Sequence, residues 1–392
     1  MQTSSPSHFF SPTSPTQSTE ENPNLSEIFL KNEKLSSKFK ILKKIDNGSF
    51  GEIYKATHIQ TNQDVAIKVE KKSPNEKIPL ISKEAKILLD LEGTPGFPKM
   101  FYFLKGDLHS FLVLSLLGKN LEKCKLLHSQ LSPKTVIMLG SQCITRLEAL
   151  HNRGIIHRDI KPENFLMGVN KNASIVYMID FGLSKTFMDN GKHIPNTFKK
   201  RGLVGTARYA SVNAHLGNEL SRKDDLESLM YMLAYLMNGR LPWQDLLARS
   251  KEEKYEKILQ KKIEVTAEKL FEECPKKFVQ VFKYIKNLEF EEQPDYKKIK
   301  ELFNDMMKEG GWKFDYKYEW ENEEERRSRN SVKINSEIRF SSKNWGGWAG
   351  LDGGISEEGK VLMMAKETPK LNQRYIMGEI REISIYFFLK SF

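Results

Sequence analysis

The sequence predicts an α+β protein in which a small strand-rich lobe precedes a larger helical lobe. Two observations indicate this. Short apolar stretches alternate with turn residues between Phe39 and Leu114, as is typical of strands. After Leu117 the apolar residues recur mostly at helical spacing. The length of 392 residues fits two or three ordinary domains, or one large two-lobed unit.

The first lobe is expected to contain five strands and one helix. The helix, at about residues 78–91, interrupts the strands because its apolar side chains fall on one side. The strands are expected at residues 39–45, 52–58, 65–69, 100–104 and 111–114.

The second lobe is expected to begin its helical pattern at Ser132. A serine cap followed by Pro133 in the first turn is a good helix start. Apolar residues then repeat at helical spacing as far as Leu150. Further helices are expected at residues 221–238, 251–260, 276–288 and 296–307, and no internal repeat is evident.

Two end segments are expected to lie outside this body. Residues 1–36 are rich in Ser, Thr and Pro and have almost no aliphatic side chains before Leu25, which predicts a disordered arm. The steps Ser11-Pro12 and Ser14-Pro15 are either phosphorylation sites or chance pairs in a plain tail. Residues 321–392 contain a charge run and a glycine-rich stretch, which predict a largely irregular tail.

Composition narrows the class of protein. The chain has 62 Lys and Arg against 51 Asp and Glu, and the net charge of +11 allows nucleic acid, acidic or phosphorylated protein, or acidic lipid as partners. Cys124, Cys143 and Cys274 are too few and too scattered for a disulfide framework or a four-cysteine zinc site. No apolar run approaches the roughly 18–20 residues of a membrane helix, and no secretory signal is evident. We expect a soluble cytoplasmic or nuclear protein.

A glycine-containing turn and a strand lysine predict a phosphate site. Glycines let backbone N–H groups approach phosphate oxygens. Lys68 ends the apolar run Val-Ala-Ile-Lys, so it points inward and needs an anionic partner, which Glu84 on the next helix can supply. Alone, each feature is more often a plain hairpin or a solvated lysine. The turn consists of Asn47, Gly48, Ser49, Phe50 and Gly51.

Two further motifs complete a pattern. Residues 157–164 read His-Arg-Asp-Ile-Lys-Pro-Glu-Asn, and residues 180–182 read Asp-Phe-Gly after an apolar strand. With the glycine turn and Lys68, these motifs occur in the order and spacing of protein kinases, which the chain resembles. The resemblance implies the bilobal kinase fold, with a small β-rich N-lobe, a larger helical C-lobe and ATP between them.

The chemistry explains the residue types. Phosphoryl transfer needs a polyanion held in line with a hydroxyl, with its charge neutralised. Asp159 is the candidate base or hydroxyl-orienting group, and Lys161 can lie against the transferred phosphoryl group, as in Ser/Thr rather than tyrosine kinases. Asn164 and Asp180 are the candidate Mg²⁺ ligands because Mg²⁺ prefers hard oxygen donors. Lys68 and Glu84 complete the catalytic set.

Several motifs resemble the casein kinase 1 family. Residues 205–213 read Gly-Thr-Ala-Arg-Tyr-Ala-Ser-Val-Asn, where ordinary kinases carry Ala-Pro-Glu. His-Leu-Gly at 215–217, Leu-Pro-Trp-Gln at 241–244 and Pro-Asp-Tyr at 294–296 are similar too, as are residues 221–228 and 254–258. We therefore expect a kinase domain at 37–320, with an N-lobe at 37–117 and a C-lobe at 118–320.

The resemblance also implies individual binding residues. Leu114 would guard the back pocket, Leu116 would offer backbone hydrogen bonds at the hinge, and Asp225 would anchor the catalytic loop. Four apolar residues would enclose the adenine of ATP: Ile45, Ile53, Ala66 and Leu166.

The family favours acidic substrates, or substrates already phosphorylated three residues before the target. Its anion pocket falls here on Arg201, Arg208 and Lys254. Charge-assisted bonds from such cations to a phosphate are worth about 1.5–3 kcal/mol each, and less when solvated. The resemblance further implies activity without activation-loop phosphorylation. We expect a monomer that binds no nucleic acid.

Departures from the family keep rival hypotheses open. Asp46 replaces the first glycine of the loop, which is unfavourable if the carboxylate points inward but costs at most about 1 kcal/mol of backbone preference if it faces solvent. Ser115 replaces an acidic hinge residue and Lys119 a proline. One rival is a pseudokinase scaffold. Another is a nucleic-acid-binding protein, although no recognised module supports it. A tail that autoinhibits through Ser328 or Ser331 is a further hypothesis.

Overall fold

The computed structural model describes residues 32–48, 51–72, 79–106, 108–197 and 202–321. All of them belong to one compact unit, Met1–Val332. The predictions for the arm and the tail fall almost wholly outside the described residues, including the four candidate phosphorylation and autoinhibitory serines. So do Ser49 and Phe50 of the glycine turn and Arg201 of the anion pocket.

The strand-rich lobe is one antiparallel sheet with the strand order β1-β2-β3-β5-β4. The five predicted strands are confirmed within a few residues. A short helix, α1 (Glu33–Ser36), precedes the sheet, and helix α2 (Leu80–Asp90) lies within the predicted span 78–91. The strands are β1 (Phe39–Gly48), β2 (Gly51–His58), β3 (Asp64–Lys71), β4 (Met100–Lys105) and β5 (His109–Ser115).

The two faces of this sheet have different partners because successive side chains of a strand point to opposite faces. Val65, Ile67 and Val69 of β3 share a small core with Leu35 and Phe39. The other face presents the residues between them, and its apolar side chains from β5 join a larger core that continues through α2 into the helical lobe. The face that carries Lys68 therefore lies at the junction of the lobes.

The helical lobe surrounds two long helices that pack together. Ser132 accepts a hydrogen bond from the Thr135 amide and caps the first of them, as predicted. The helix predicted at 251–260 continues to Glu264, because Lys262 turns its side chain into the protein instead of ending the helix in water. The helices are α3 (Leu121–Leu126), α4 (Pro133–His151), α5 (Val212–Leu216), α6 (Arg222–Asn238), α7 (Lys251–Glu264), α8 (Ala267–Leu270), α9 (Lys277–Lys286) and α10 (Tyr296–Glu309).

Short two-stranded ladders align the polar loops. Strand β6 (Ile155–Ile156) pairs with β9 (Lys185–Thr186), and β7 (Phe165–Met167) pairs with β8 (Val176–Met178). Residues 157–164 connect β6 to β7, and residues 179–184 connect β8 to β9. Since the flanking strands are paired, the His-Arg-Asp and Asp-Phe-Gly segments must lie side by side. A third ladder joins β10 (Met188–Asp189) to β11 (Lys192–His193).

All three cysteines are buried and free, and burial raises the pKa of each thiol to about 12, so the thiols stay protonated. Within the described ranges, every helix is too short or too polar to cross a membrane.

Candidate active site

Lys68 is the centre of a buried ion-pair network between the lobes. Its side chain lies 2.6 Å from the Glu84 carboxylate on α2 and 3.0 Å from Asp180. Burial alone would lower the pKa of Lys68, but the charges of Glu84 and Asp180 outweigh burial and raise it. The Lys68 charge in turn outweighs the burial of Asp180 and lowers the pKa of that carboxyl. The predicted Lys68–Glu84 pair is formed, and Asp180 joins it.

Helix α2 is held in place by a residue that sequence reasoning missed. The helix starts after Pro79, and its first turn has no side-chain cap of its own. Glu70 on β3 accepts hydrogen bonds from the backbone amides of Leu80 at 3.0 Å and Ile81 at 2.6 Å. A carboxylate at a helix N-terminus satisfies free N–H groups and complements the helix dipole. Glu70 thus fixes the helix that presents Glu84.

Asp159 lies in a pocket of hydrogen-bond donors in the 157–164 loop. Lys161 Nζ lies 2.6 Å from Asp159 Oδ2, and Asn164 Nδ2 donates to the Asp159 backbone carbonyl at 2.8 Å. Thr206 Oγ1, from a distant segment, donates to Asp159 Oδ1 at 2.8 Å. The side chain is almost fully buried, so these donors fix the orientation of a carboxylate that water barely reaches.

Asp225, at the start of α6, anchors the 157–164 loop through hydrogen bonds to its backbone. Its carboxylate accepts from the His157 amide at 2.7 Å, from the Arg158 amide at 2.8 Å and from His151 Nε2 at 2.9 Å. Burial alone would raise the pKa of Asp225, but the hydrogen bond and charge of His151 outweigh it and lower the pKa. The predicted anchoring role of Asp225 is therefore met by direct contacts.

The Asp-Phe-Gly segment is held by its aromatic residue. Phe181 is fully buried, with its ring 5.4 Å from His157 and 6.1 Å from Phe97. Asp180 adopts a left-handed backbone conformation with φ of 65°. This conformation sends the Phe181 side chain into the core and the Asp180 carboxylate towards Lys68. An uncommon φ at a polar residue in a cleft is a sign of a functional constraint.

The glycine turn joins β1 and β2, with Gly48 directly opposite Gly51. A Cβ on Gly51 would lie 2.1 Å from the Val69 carbonyl oxygen, so only glycine fits there. Asp46 is exposed, and its side chain lies 3.6 Å from the exposed Lys123. This carboxylate faces solvent and a cation, and its Oδ1 accepts a hydrogen bond from the Asn47 amide of the turn at 2.8 Å.

Two of the apolar residues predicted to enclose adenine, Ile53 and Ala66, fall on the same face of the sheet as Lys68. Ala66 pairs across the ladder with Leu114, and Lys68 pairs with Ile53, so these four side chains share that face. The others lie on adjoining elements: Ile45 at a bulge in β1, Leu116 just beyond β5 and Leu166 on β7.

The sequence matches the family model of the protein kinase domain over residues 39–309. The chain belongs to the protein kinase family. Protein kinases are phosphotransferases that use ATP and Mg²⁺, and their substrates are proteins. The predicted α+β bilobal kinase fold is confirmed by the family match together with the strand-rich and helical lobes.

The donor set of this kinase fits a magnesium ion. The Asn164 amide nitrogen is engaged by the Asp159 carbonyl, so its Oδ1 is the end available for a cation. The Ile179 amide donates to the Asn164 carbonyl at 3.0 Å, which ties the loop to the residue before Asp180. Among the described residues no cluster of three or more His, Cys, Asp or Glu could hold a metal. Two protein oxygens suit Mg²⁺, which takes its remaining ligands from phosphates and water.

The predicted anion pocket of the kinase is only partly described. Arg208 is partly buried, with its guanidinium 5.5 Å from the Tyr235 ring and 5.8 Å from the Tyr209 ring. Lys254 is exposed on a separate element, α7. Glu122 and Glu163 act on Arg208 through their charges. These two carboxylates, which sequence reasoning missed, partly offset the positive charge of the pocket.

Thr206 is a second contact of Asp159 that the sequence motifs do not single out. In the sequence it is one residue of the Gly-Thr-Ala stretch. Gly205 lets this segment approach the loop of Asp159, because a Cβ at Gly205, with φ of 87°, would lie 2.4 Å from the Arg158 carbonyl oxygen. The only sequence signal for this contact is a glycine followed by a hydroxyl residue, and that pair is too common to assign a role to Thr206.

Proposed function

We propose that the protein is a Ser/Thr protein kinase of casein kinase 1 type, which transfers the γ-phosphoryl group of ATP to serine or threonine of acidic or phospho-primed proteins. The observation that carries the proposal is the set of contacts around Asp159. This carboxylate has an ordered lysine two residues away and a threonine hydroxyl on its other oxygen. Such an arrangement suits a hydroxyl acceptor that must be oriented before transfer.

One group of site residues binds ATP and another orients the hydroxyl of the protein substrate. Lys68, fixed by Glu84, holds nucleotide phosphates, and the backbone of the glycine turn covers them. Asp159 accepts a hydrogen bond from the attacking hydroxyl, while Lys161 stabilises the charge of the transferring group. Asn164 and Asp180 hold Mg²⁺, which when bound supplies further charge neutralisation.

The casein kinase 1 type is supported by the Ser-x-Asn that replaces Ala-Pro-Glu. Ser211 Oγ and Asn213 Nδ2 both donate to Asp224 Oδ1 on α6, at 2.8 and 3.1 Å. Asp224 also accepts from the Ser221 amide. The motif therefore has a structural use: it fastens the end of the 202–211 segment to a buried carboxylate. Residues 211, 213, 221 and 224 all belong to the motifs that resemble this family.

The preference for acidic or primed substrates rests on Arg208 and Lys254. Arg208 is flanked by aromatic rings that limit its motion, which lowers the entropy lost on binding an anion. The nearby Glu122 and Glu163 make the site selective for a strong anion, since a doubly charged phosphate gains more from Arg208 than a single carboxylate does.

One assay tests the proposal. The full-length protein is incubated with MgATP and acidic peptides that carry serine, phospho-primed serine or tyrosine as acceptor. We expect transfer to serine, faster transfer to the primed peptide and none to tyrosine. Asp159→Asn should lower kcat by about 10²–10⁴-fold, because the orienting carboxylate is lost. Asp245→Asn, at an exposed aspartate, is the matched control. Absence of transfer by the wild type, or full activity of Asp159→Asn, contradicts the proposal.

A further inference from the structure

The segment that carries Thr206 and Arg208 is held by side chains rather than by regular structure. Residues 206–211 lie in no helix or strand. The Tyr209 and Ala210 amides donate to the Thr206 carbonyl, both at 2.9 Å. Buried carbonyl groups need donors as well. Here those donors come from outside the segment.

Lys262 supplies the most contacts to this backbone. Its Nζ donates to the Ala210 carbonyl at 2.5 Å and to the Ala207 carbonyl at 2.9 Å. Trp243 Nε1 donates to the Arg208 carbonyl, between these two, at 2.7 Å. His215 Nε2 also lies 3.1 Å from the Ala207 carbonyl oxygen, so three side chains contact three carbonyls within four residues.

The ammonium group of Lys262 is buried without an ion pair. Its side chain is 5% exposed, and no carboxylate in the described part of the chain lies within salt-bridge distance. Its third proton faces His215 Nε2 on α5 at 3.3 Å, and the rings of Tyr231 and Trp243 lie 4.8 and 5.1 Å away. Burial, followed by the charge of Lys262, lowers the pKa of His215 to about 4, so this imidazole is neutral. Its Nε2 lies near both the Lys262 ammonium and the Ala207 carbonyl oxygen, and the tautomer decides which of the two it bonds.

We propose that Lys262 is a positioning residue for the protein substrate: its ammonium holds the 206–211 backbone so that Thr206 meets Asp159 and Arg208 faces the substrate. This inference rests on the proposed function. Lys262 lies on α7, the helix that also carries Lys254. Lys262 thereby joins the two described parts of the anion pocket through one side chain.

A purely structural role makes a different prediction. Burying a lone ammonium is unfavourable, so an apolar side chain of similar length should cost little stability or even raise it. The Ala210 carbonyl would nevertheless lose its Lys262 donor, and the Ala207 carbonyl would keep only its contact with His215 Nε2. A loss confined to substrate binding therefore separates positioning from general stabilisation.

The variants are Lys262→Met and Lys262→Arg in the full-length protein. Lys261→Met is the matched control on the same helix, where the side chain is 42% exposed. For Lys262→Met we expect the KM for an acidic, unprimed peptide to rise by about tenfold, as the loss of two buried hydrogen bonds allows. The KM for ATP should be unchanged. Lys262→Arg should restore much of the peptide KM, and Lys261→Met should match the wild type. An unchanged peptide KM, or equal changes in both KM values, overturns the proposal.

A pH profile gives a second readout. Burial, only partly opposed by the charge of Glu227 and assisted by the charge of Lys286, lowers the pKa of Lys262 to about 7. Below this pH the ammonium makes charge-assisted hydrogen bonds to the Ala207 and Ala210 carbonyls, and above it the neutral amine makes weaker ones. The peptide KM of the wild type should therefore rise between pH 6 and 8, while the KM values of Lys262→Met and Lys262→Arg stay flat. A flat wild-type profile counts against the proposal.

Hydrogen exchange tests the inference without any activity. The Tyr209 and Ala210 amides should exchange faster in Lys262→Met, while the amides of α6 are unaffected. If Lys262→Met does not fold, the same amides in the wild type should exchange faster at pH 8 than at pH 6 after correction for intrinsic rates. If the Tyr209 and Ala210 amides exchange at unchanged rates, the proposed role of Lys262 is wrong even if phosphoryl transfer is observed. Absence of transfer with the expected exchange refutes the kinase function alone.

Discussion

Removing the carboxylate of Glu70 should detach the start of helix α2. Lys68 and Glu70 lie two residues apart on one face of β3, and they contact α2 at Glu84 and at its first two residues. Two strand residues advance about 6.6 Å, and four helix residues about 6 Å. The two contacts therefore have matching spacing along the strand and the helix, and together they lock the helix in register.

The size of the effect follows from the two backbone amides that lose their acceptor. Leaving a buried N–H group without a partner costs about 1–3 kcal/mol, and the Ile81 amide is buried while that of Leu80 is partly buried. Since water can reach the partly buried amide, we expect Glu70→Ala to lower the free energy of unfolding by about 2–4 kcal/mol. Glu70→Gln keeps one acceptor and should lose roughly half as much.

Thermal unfolding and steady-state kinetics measure this prediction. Glu70→Ala should lower the Tm by about 5–10 °C. It should also raise the KM for ATP about tenfold, because Glu84 no longer fixes Lys68. The exposed Glu301→Gln on α10 is the control and should behave as wild type. If Glu70→Ala shows the Tm and the KM for ATP of the wild type, Glu70 does not position α2.

Two further predictions concern the glycine turn. Gly51→Ala should raise the KM for ATP several-fold and lower the Tm, because its Cβ would overlap the Val69 carbonyl oxygen; unchanged values in a nucleotide titration would show that the hairpin relaxes freely. Asp46→Gly should change the KM for ATP by less than about threefold, since the exposed pair with Lys123 is worth at most about 1 kcal/mol. A large gain in ATP affinity would show that the Asp46 carboxylate repels phosphates after all.

The sequence predicted the residues whose signal is local. Lys68, Asp159 and Asp180 stand in short motifs with fixed neighbours, and the strands and helices around them follow the apolar period. The pairing of Lys68 with Glu84 was also predictable, because a buried lysine requires an anion and the next helix offers one. Their catalytic roles remain predictions.

Glu70, Thr206 and Lys262 could not be predicted in this way, because their partners are backbone groups or lie far along the chain. Glu70 reads as one more charged residue near the end of a strand. Lys262 follows Lys261 in a polar run beyond the predicted end of the helix at residue 260, and nothing in that run marks it as a buried side chain. Only the packing of α7 against α5 and the 206–211 segment decides that this lysine turns inward.

The start of helix α6 explains why so polar a stretch is buried. Asp224, Asp225 and Glu227 are each no more than 3% exposed, which would be strongly destabilising without partners. Asp225 accepts hydrogen bonds from the His157 and Arg158 amides of the Asp159 loop. Asp224 accepts hydrogen bonds from the side chains of Ser211 and Asn213.

Glu227 completes the set, accepting from the Val212 amide, Tyr231 and Lys286. One helix terminus thus fixes both the loop of Asp159 and the far end of the 206–211 segment, which Lys262 contacts at Ala207 and Ala210. The 157–164 loop and the 206–211 segment are both hydrogen-bonded to the start of α6, and the 206–211 segment is also bonded to α7. The distance between Asp159 and Arg208 is therefore set by α6 and α7 together. A change at either helix should therefore alter substrate binding before it alters ATP binding.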